Sequence, residues 1–423
     1  MAASMTQSHA IPTVNATVTS TQTMPLLETA NSETAMESFK IPTSKVVPRV
    51  RIEKAPLPFE EIPGPMILKL WEKYWRYVPL LGTQLFCSLL ISRLTQGRLS
   101  WNRNITPIKY LFDEYGCIVR INGPLVRYHS FHIFPNNQFT NHSRPEHIAE
   151  VFKQESESPI RSGIDILQHY RLNHHKYRSA GAFSLQDLEW LEVKKKINQP
   201  LHETISDYIG KLDSVCDELT NRIRNIRNRQ DEVINCEAFL LYFLAKNPRV
   251  QKRLYNEIIS VSSKTSKECT QTKESLENMP YLKACIKESL RLRPAFPYLT
   301  RLLSSAISLH GYTIPKGTFV IMASQITSQR EEHFEDPEKY QPERWLNRDE
   351  YAYNDYQEYS CLPFGYGVRS CLGRNMAEIQ MMLLTAKLVQ EFTIEYDYAE
   401  IQSRFLMINV PNRSLRFRFV DRN

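Results

Sequence analysis

The segment PFGYGVRSCLGR, residues 363–374, constrains this chain more than any other. Its three glycines permit tight turns and a close approach of the backbone to a flat ligand. They surround one cysteine, Cys371, and the apolar-faced stretch 374–392 that follows predicts a long helix. The cysteine therefore precedes a helix N-terminus, where the helix dipole and the free amide groups favour a thiolate. A thiolate in such a turn suits metal ligation, and Arg369 can pair with an anionic group on the ligand.

The rest of the sequence predicts a mainly α-helical fold with small β-sheets. The chain has 423 residues, of which 42% are apolar, so it can bury a sizeable core. Apolar residues recur at helical spacing in four further stretches, at 144–155, 190–226, 238–260 and 279–293. The strand-like pieces are short and lie at 117–126, 307–315, 318–324 and 414–420. No internal repeat is found.

Charge and cysteine content narrow the class of protein. The eight cysteines include no CxxC pair, so a secreted disulfide framework is not expected and a reducing compartment is indicated. The net charge of +7 is compatible with solvated lysines, with an acidic partner or with an anionic membrane surface. No nucleic-acid partner is expected. A membrane-spanning anchor is not expected either, because no stretch of about 18 apolar residues is uninterrupted.

Two segments do not fit a packed domain. Residues 1–39 contain thirteen Ser and Thr and no Lys or Arg, and we expect residues 1–60 to be disordered. The folded domain is predicted from residue 61 to residue 423, beginning at the proline hinge EIPGP. Residues 127–142 are polar and aromatic without a period, which favours a loop. Their three histidines have no spacing that supports a metal site.

The sequence FGYGVRSCLG, residues 364–373, matches F-x-x-G-x-R-x-C-x-G at every fixed position. This pattern resembles the haem-binding loop of the cytochrome P450 family. The resemblance implies the P450 fold, haem b as cofactor and dioxygen as co-substrate, with Cys371 as the axial thiolate ligand. Arg369 would pair with a haem propionate, and Phe364 and Gly373 would lie beside the ligand cysteine.

Other motifs carry the same resemblance. Trp190 in EWLEVK matches the tryptophan of a W-x-x-x-R motif that binds a propionate, with Lys194 in place of its arginine. A lysine can pair with an anion but cannot form the two parallel hydrogen bonds of an arginine. Arg301, after RPAFPYLT, occupies the position of another propionate partner.

Glu288 and Arg291 in KESLR stand three apart on one predicted helix face. Taken alone they would be a surface ion pair of little energetic consequence. The motif QPERW supplies Arg344, however, and by resemblance these three residues form a buried charged network that supports the haem loop.

The segment YLKACIKESLRLRP resembles the mitochondrial branch of the family, with insect members the nearest resemblance. That branch implies an adrenodoxin-like [2Fe–2S] ferredoxin partner, for which Lys283, Lys287 and Arg374 would form the docking face. It also implies a location at the matrix face of the mitochondrial inner membrane, with peripheral membrane contact.

One expected motif is missing. The family's central helix carries A/G-G-x-D/E-T for proton delivery to dioxygen, and none of the thirteen glycines fits this pattern. We place an internal deletion near 234–239 and an insertion foreign to the family near 127–142, which together indicate an alternatively spliced, internally truncated isoform or a mispredicted gene model. The expected function is a ferredoxin-dependent monooxygenase acting on a lipophilic substrate such as a steroid, hormone or xenobiotic. The alternative is a catalytically inactive isoform that binds haem or ferredoxin.

Overall fold

Helices dominate the part of the chain that the computed structural model describes. That part comprises residues 56–66, 106–122, 138–142, 144–161, 165–226, 235–262, 273–346, 357–406 and 408–422. The α-helices are, in chain order, α1 Thr106–Tyr115, α2 Pro145–Lys153, α3 Asp165–Asn173, α4 Asp187–Glu203, α5 Ile205–Ile226, α6 Asn235–Lys246, α7 Pro248–Ser262, α8 Lys273–Glu277, α9 Pro280–Leu292, α10 Ser324–Thr327 and α11 Arg374–Glu391. The mainly helical prediction is therefore confirmed for these residues.

Two of the predicted helices are each divided in two near a proline. The stretch 190–226 breaks at Thr204, whose hydroxyl donates to the carbonyl oxygen of Pro200 at 2.8 Å. Because Pro200 has no N–H, it removes one hydrogen bond from the last turn of α4. The stretch 238–260 breaks before Pro248, whose fixed φ and missing N–H suit the first turn of a new helix.

The strands are short and form one four-stranded sheet and three two-stranded ribbons within the described ranges. They are β1 Ile118–Asn122, β2 Gln138–His142, β3 Leu299–Leu302, β4 Ile307–Leu309, β5 Tyr312–Ile314, β6 Phe319–Met322, β7 Phe392–Glu395, β8 Ser403–Leu406, β9 Ile408–Pro411 and β10 Arg418–Asp421. The larger sheet has the order β1-β2-β6-β3, and the pairs are β4–β5, β7–β10 and β8–β9. The sequence pattern did not predict β3, β7, β8 or β9.

The loop prediction for residues 127–142 is wrong at its C-terminal end. Strand β2 pairs antiparallel with β1 and parallel with β6, so it lies inside the sheet rather than at its edge. Neighbours on both sides satisfy its backbone groups, and this pairing does not depend on an alternating side-chain pattern. Residues 127–137 lie outside the described ranges, so the expected insertion stays a prediction.

The predicted disordered segment 1–60 ends earlier than expected. The N–H of Leu57 donates to the carbonyl oxygen of Gly311 at 2.7 Å, and the N–H of Thr313 donates to that of Leu57 at 2.9 Å. Phe59 is buried, with 5% of its surface exposed. These contacts attach the segment to the β4–β5 ribbon, because an apolar ring and two backbone bonds together offset the cost of ordering it. Residues 1–55 lie outside the described ranges.

Residues Lys54–Asn423 form one compact unit whose largest apolar core contains α6, α7, α9 and α11. Leu383, Ala386 and Val389 of α11 are fully or almost fully buried in it, which fixes the helix that follows Cys371. Helix α6 is apolar on all sides, and residues 238–245 are all buried. Within the described ranges, no helix combines the length and the apolar character needed to span a bilayer.

Candidate functional site

Cys371 lies in a closed turn directly before helix α11. Gly365 and Gly367 have φ angles of 73° and 67°, in the left-handed region that favours glycine. The N–H of Cys371 donates to the carbonyl oxygen of Phe364 at 2.9 Å, which closes the turn, and α11 begins at Arg374. The side chain of Cys371 is exposed. The turn therefore presents a thiol at the N-terminal end of a helix, as its sequence predicts.

Arg369 anchors this turn to the preceding part of the chain. It is 5% exposed, and its Nε donates to the carbonyl oxygen of Pro159 at 2.8 Å. Nη1 and Nη2 each donate to the carbonyl oxygen of Leu185 at 3.1 Å, and Nη2 also donates to Oε1 of Gln186 at 2.8 Å. A guanidinium has five N–H donors, and four hydrogen bonds from Arg369 to protein oxygen atoms therefore use most of them.

Two cations lie close to the ring of Trp190. Its ring is 3.9 Å from the guanidinium carbon of Arg369 and 5.2 Å from Nζ of Lys194. Lys194 Nζ also donates to the carbonyl oxygen of Val368 at 2.6 Å, so the predicted pair of Trp190 and Lys194 is joined to the cysteine turn. Burial, and then the charge of Arg369, lower the pKa of Lys194.

Arg301, on the edge strand β3, is 4% exposed and donates through Nε to Glu155, which the sequence pattern did not single out. Its guanidinium carbon lies 5.0 Å from the ring centroid of Phe152. Burial lowers the pKa of Arg301 and raises the pKa of Glu155, and the pairing of the two charges opposes both shifts.

A third arginine completes a group that we call the arginine cluster: Arg161, Arg301 and Arg369. Burial, followed by the charges of Arg161 and Arg301, lowers the pKa of Arg369 to about 9. The charge of Cys371 raises the pKa of Arg161 against the lowering effect of burial and Arg301, so the cysteine lies close enough to interact with the cluster. Glu155 is the one carboxylate bonded to this cluster among the described residues, and the charge of Asp187 also acts on Arg369, so the three arginines still exceed the two carboxylates.

The excess positive charge of the arginine cluster can be compared with the anionic groups of haem b, to decide whether these residues fit that cofactor. Buried like charges raise one another's free energy, and an anionic ligand relieves this repulsion. Haem b carries two propionate carboxylates beside an iron that a thiolate binds. An exposed cysteine next to three guanidiniums and one carboxylate matches those needs, so the residues present fit the group.

Glu288, on α9, is the centre of a second buried group, and its side chain has no exposed surface. Its oxygens accept from Nε and Nη2 of Arg291 at 2.9 and 2.8 Å, and from Nε of Arg344 at 3.0 Å. Trp345 Nε1 and the backbone N–H of Gln341 donate to it at 2.9 and 3.0 Å. The structure thus brings the three predicted residues together and adds two that sequence reasoning missed.

The residues predicted to dock a ferredoxin lie on two helices. Lys283 and Lys287 are four apart on α9 and both are half-buried. Lys283 Nζ donates to the carbonyl oxygen of Glu277 at 2.9 Å, and Lys287 Nζ lies 5.9 Å from the ring of Trp345. Arg374 begins α11, is exposed, and pairs with Glu378 at 2.9 Å.

Glu155 and Arg161 lie in the segment ESESPIRSG, residues 155–163, which shows no helical or strand period. Glu155 and Arg301 form an ion pair but are 146 residues apart along the chain, so no local sequence pattern predicts their contact. Trp345 does carry a local signal, because it directly follows Arg344 in the motif that identified that arginine.

The fold and the site define a class: a mainly helical protein whose cysteine turn fits a haem-thiolate centre. Residues 231–415 match the cytochrome P450 family model. This match covers 185 of the 423 residues, and the curated relatives that the chain resembles are mitochondrial-type cytochromes P450. The family implies haem b with an axial cysteine thiolate, and dioxygen as co-substrate.

Three relatives illustrate the match. The mitochondrial 1,25-dihydroxyvitamin D(3) 24-hydroxylase of Mus musculus is 34% identical over 262 residues, which cover 59% of this chain and 50% of the relative. The mitochondrial sterol 26-hydroxylase of Homo sapiens is 35% identical, over 45% of this chain and 36% of the relative. Cytochrome P450 CYP12A2 of Musca domestica is 36% identical, and the matched region covers 43% of this chain and 35% of the relative. The chain spans half or less of the length of these relatives.

Proposed function

We propose that this chain is a haem-thiolate monooxygenase of mitochondrial type in which Cys371 supplies the axial ligand. The observation that carries the proposal is an exposed cysteine, fixed at a helix N-terminus, beside an arginine cluster with excess positive charge, in which Arg301 and Arg369 are buried. One ligand, haem b, accounts for both features. When bound through a thiolate, this group activates dioxygen, so that one oxygen atom enters an apolar substrate at the expense of two electrons.

The cations have separate roles in this proposal. Arg301 and Arg161 contribute the positive charge that attracts the propionates, while Arg369 contributes charge and also holds the cysteine turn in place. Lys194 binds the carbonyl of Val368 and packs on Trp190, so these two residues support the same turn. We expect Lys194 to give weaker charge pairing than an arginine would, because it cannot bind a carboxylate through two parallel bonds.

Two further residues shape the turn itself. Phe364 provides the carbonyl that closes the turn and packs partly against the main core. Gly373 is the residue before α11, and a Cβ built there would meet nothing within 4 Å, so that side of the turn is open to a ligand. In the proposal both residues lie beside Cys371 and keep its thiolate accessible to the iron.

Lipophilic substrates and a mitochondrial location are proposed from the relatives, whose names describe hydroxylases of a vitamin D derivative and of sterols and place them in mitochondria. We propose the matrix face of the inner membrane, with peripheral membrane contact, because an apolar substrate partitions into the bilayer.

We also propose that electrons come from an adrenodoxin-like [2Fe–2S] ferredoxin, which docks on Lys283, Lys287 and Arg374. The two lysines lie four apart on α9, the spacing that places side chains on one helix face. Opposite charges on the two partners raise the association rate and fix the orientation of the complex.

Replacing both Lys283 and Lys287 by glutamate should weaken ferredoxin binding about tenfold or more, equivalent to about 1.4 kcal/mol. The difference from the unmodified chain should shrink in high salt, because the screening length falls from about 10 Å at 0.1 M to about 3 Å at 1 M. Titration calorimetry at two salt concentrations measures this. Lys316→Glu, which makes half this charge change at an exposed residue between β5 and β6, is the control. An unchanged affinity in the double variant would remove this docking face from the proposal.

A second candidate function, an isoform that binds haem or ferredoxin without coupled turnover, is favoured by one observation. The proton-delivery motif is absent from the sequence, and only residues 227–234 separate α5 from α6. Without an acid and a hydroxyl in that helix, protons reach dioxygen through uncontrolled water, and the substrate loses apolar surface that would bury it.

The ratio of product formed to electrons consumed distinguishes the two functions. With a reduced ferredoxin and its reductase, we expect this chain to consume electrons slowly and to release them mainly as peroxide. Insertion of the central segment of a full-length relative should restore coupling. Tight coupling in the 423-residue chain would contradict the proposed loss of the central helix and would support the working monooxygenase.

A further inference from the structure

Three side chains with metal-binding atoms meet away from the arginine cluster. Cys117 follows the turn between α1 and β1, His147 is on the first turn of α2, and His310 is in the two-residue turn of the β4–β5 ribbon. Their ligand atoms all lie within 4.8 Å of one another. From this geometry we infer a binding site for a transition-metal dication, best matched by Zn²⁺, with Cys117, His147 and His310 as its protein ligands.

The donor set selects the class of metal. Thiolate and imidazole ligands favour Zn²⁺ and its neighbours in the first transition row, whereas Mg²⁺ and Ca²⁺ require oxygen ligands. Zn–S and Zn–N bonds of about 2.3 and 2.0–2.1 Å separate tetrahedral ligand atoms by about 3.4–3.6 Å. The ligand atoms therefore have to approach one another by no more than about 1.4 Å, which side-chain rotations supply. Three protein ligands leave a fourth position for water.

The burial of the three residues is compatible with the approach of their ligand atoms to one ion. His147 is 7% exposed and held by its helix, Cys117 is half-buried against an apolar cluster, and His310 is exposed. The rings of His147 and His310 are 5.4 Å apart between centroids and inclined by 68°, so they do not stack face to face. Two ligands are thus positioned by the fold, and the exposed third is free to rotate onto the ion.

The backbone brings His310 to this place at a conformational cost. His310 has a φ of 51° and Gly311 a φ of 79°, so both central residues of the ribbon turn are left-handed, as a type I′ hairpin requires. Asparagine and glycine are the usual residues in such turns. Because asparagine tolerates this conformation, His310→Asn removes the imidazole with little effect on the turn.

Two positive charges near the site oppose a cation. Arg144 acts electrostatically on both Cys117 and His147, Arg330 acts on Cys117, and Glu332 acts on Cys117 with the opposite sign. A positive charge close to two ligands weakens the binding of a dication. Arg144→Gln should therefore strengthen metal binding, whereas an effect of Arg144 on folding alone gives no such increase.

The ion would connect three segments that are distant along the chain. Helix α2 ends at Lys153, two residues before Glu155, the carboxylate that pairs with Arg301 in the candidate haem site. Metal binding to the native state alone raises thermal stability by mass action. We therefore expect the bound ion to stabilise the position of α2 between the sheet and the β4–β5 ribbon.

Cobalt(II) tests the site directly in the full chain after treatment with a chelator, because a cobalt–thiolate bond gives a charge-transfer band in the near ultraviolet. We expect one such band that saturates at one equivalent, disappears in Cys117→Ser, and is displaced by Zn²⁺. Affinity should fall at least about 100-fold in His147→Gln and in His310→Asn, the scale of loss seen even for residues that only support ligands. Zn²⁺ should raise the melting temperature of the unmodified chain and not that of His310→Asn.

Cys371→Ser is the control, since it removes a thiol outside the proposed site and should retain the band. Should Cys117→Ser fail to fold, the exposed His310→Asn variant carries the test by itself. Retention of the band in Cys117→Ser, or an unchanged cobalt affinity in His310→Asn, would overturn the proposed site. An increased affinity in Arg144→Gln would add support that does not depend on removing a ligand.

Discussion

Replacing Glu288 by alanine should abolish stable haem incorporation and strongly destabilise the fold. The carboxylate is fully buried and accepts charged hydrogen bonds from both Arg291 and Arg344, which are also buried. Removing it leaves two buried cations without their carboxylate, a change that typically costs about 3–5 kcal/mol. This is a large share of the total stability of a domain, about 5–15 kcal/mol. The hydrogen bonds by which Glu288 joins α9 to the turn Pro342–Trp345 would also be lost.

The measurements are the midpoint of denaturant unfolding and the haem content per chain after reconstitution. Glu343→Ala is the control, because Glu343 lies in the same turn but is half-exposed, pairing with Arg253 at 3.0 Å and accepting from the hydroxyl of Tyr281 at 2.7 Å. An exposed pair contributes about 0–1 kcal/mol and a single hydrogen bond about 0.5–1.5 kcal/mol, so the control should retain haem and lose less stability than Glu288→Ala. A Glu288→Ala protein with full haem content and an unchanged midpoint would show that this buried group does not support the site.

Replacing Cys371 by serine should remove the thiolate character of the bound haem and leave the fold intact. The Cys371 side chain is exposed, and the contact that closes its turn is made by its backbone N–H, which serine retains. A serine hydroxyl does not ionise near neutral pH and is not a comparable ligand. We therefore expect near-normal unfolding together with complete loss of the thiolate signature. Cys361→Ser, ten residues earlier, is the control and should keep that signature.

The sequence motifs predicted the parts of the site that are local. The turn around Cys371 and the pair Glu288–Arg291 each lie within one short segment, where glycine conformation and helical spacing determine the geometry. Arg344 was found through its own motif, and the structure places it 3.0 Å from Glu288.

The parts that were missed depend on tertiary contacts. Arg161 and Glu155 join the arginine cluster from a segment without periodicity, and β2 is stabilised by strands on both sides rather than by its own side-chain pattern. The break at Thr204 was also missed, because the helical spacing continues across it while Pro200 weakens the backbone hydrogen bonds. The metal ligands Cys117, His147 and His310 come from three separate segments, so no sequence spacing connects them.

The absorption spectrum of the reduced protein under carbon monoxide tests the central claim, ligation of haem b by Cys371, most directly. The purified 423-residue chain, reconstituted with haem b, should show the red-shifted Soret band of a thiolate-ligated haem. The band should be absent from Cys371→Ser and present in Cys361→Ser. Persistence of the red-shifted band in Cys371→Ser, or its absence from the unmodified chain that has incorporated haem, would contradict the assignment of Cys371 as the axial ligand.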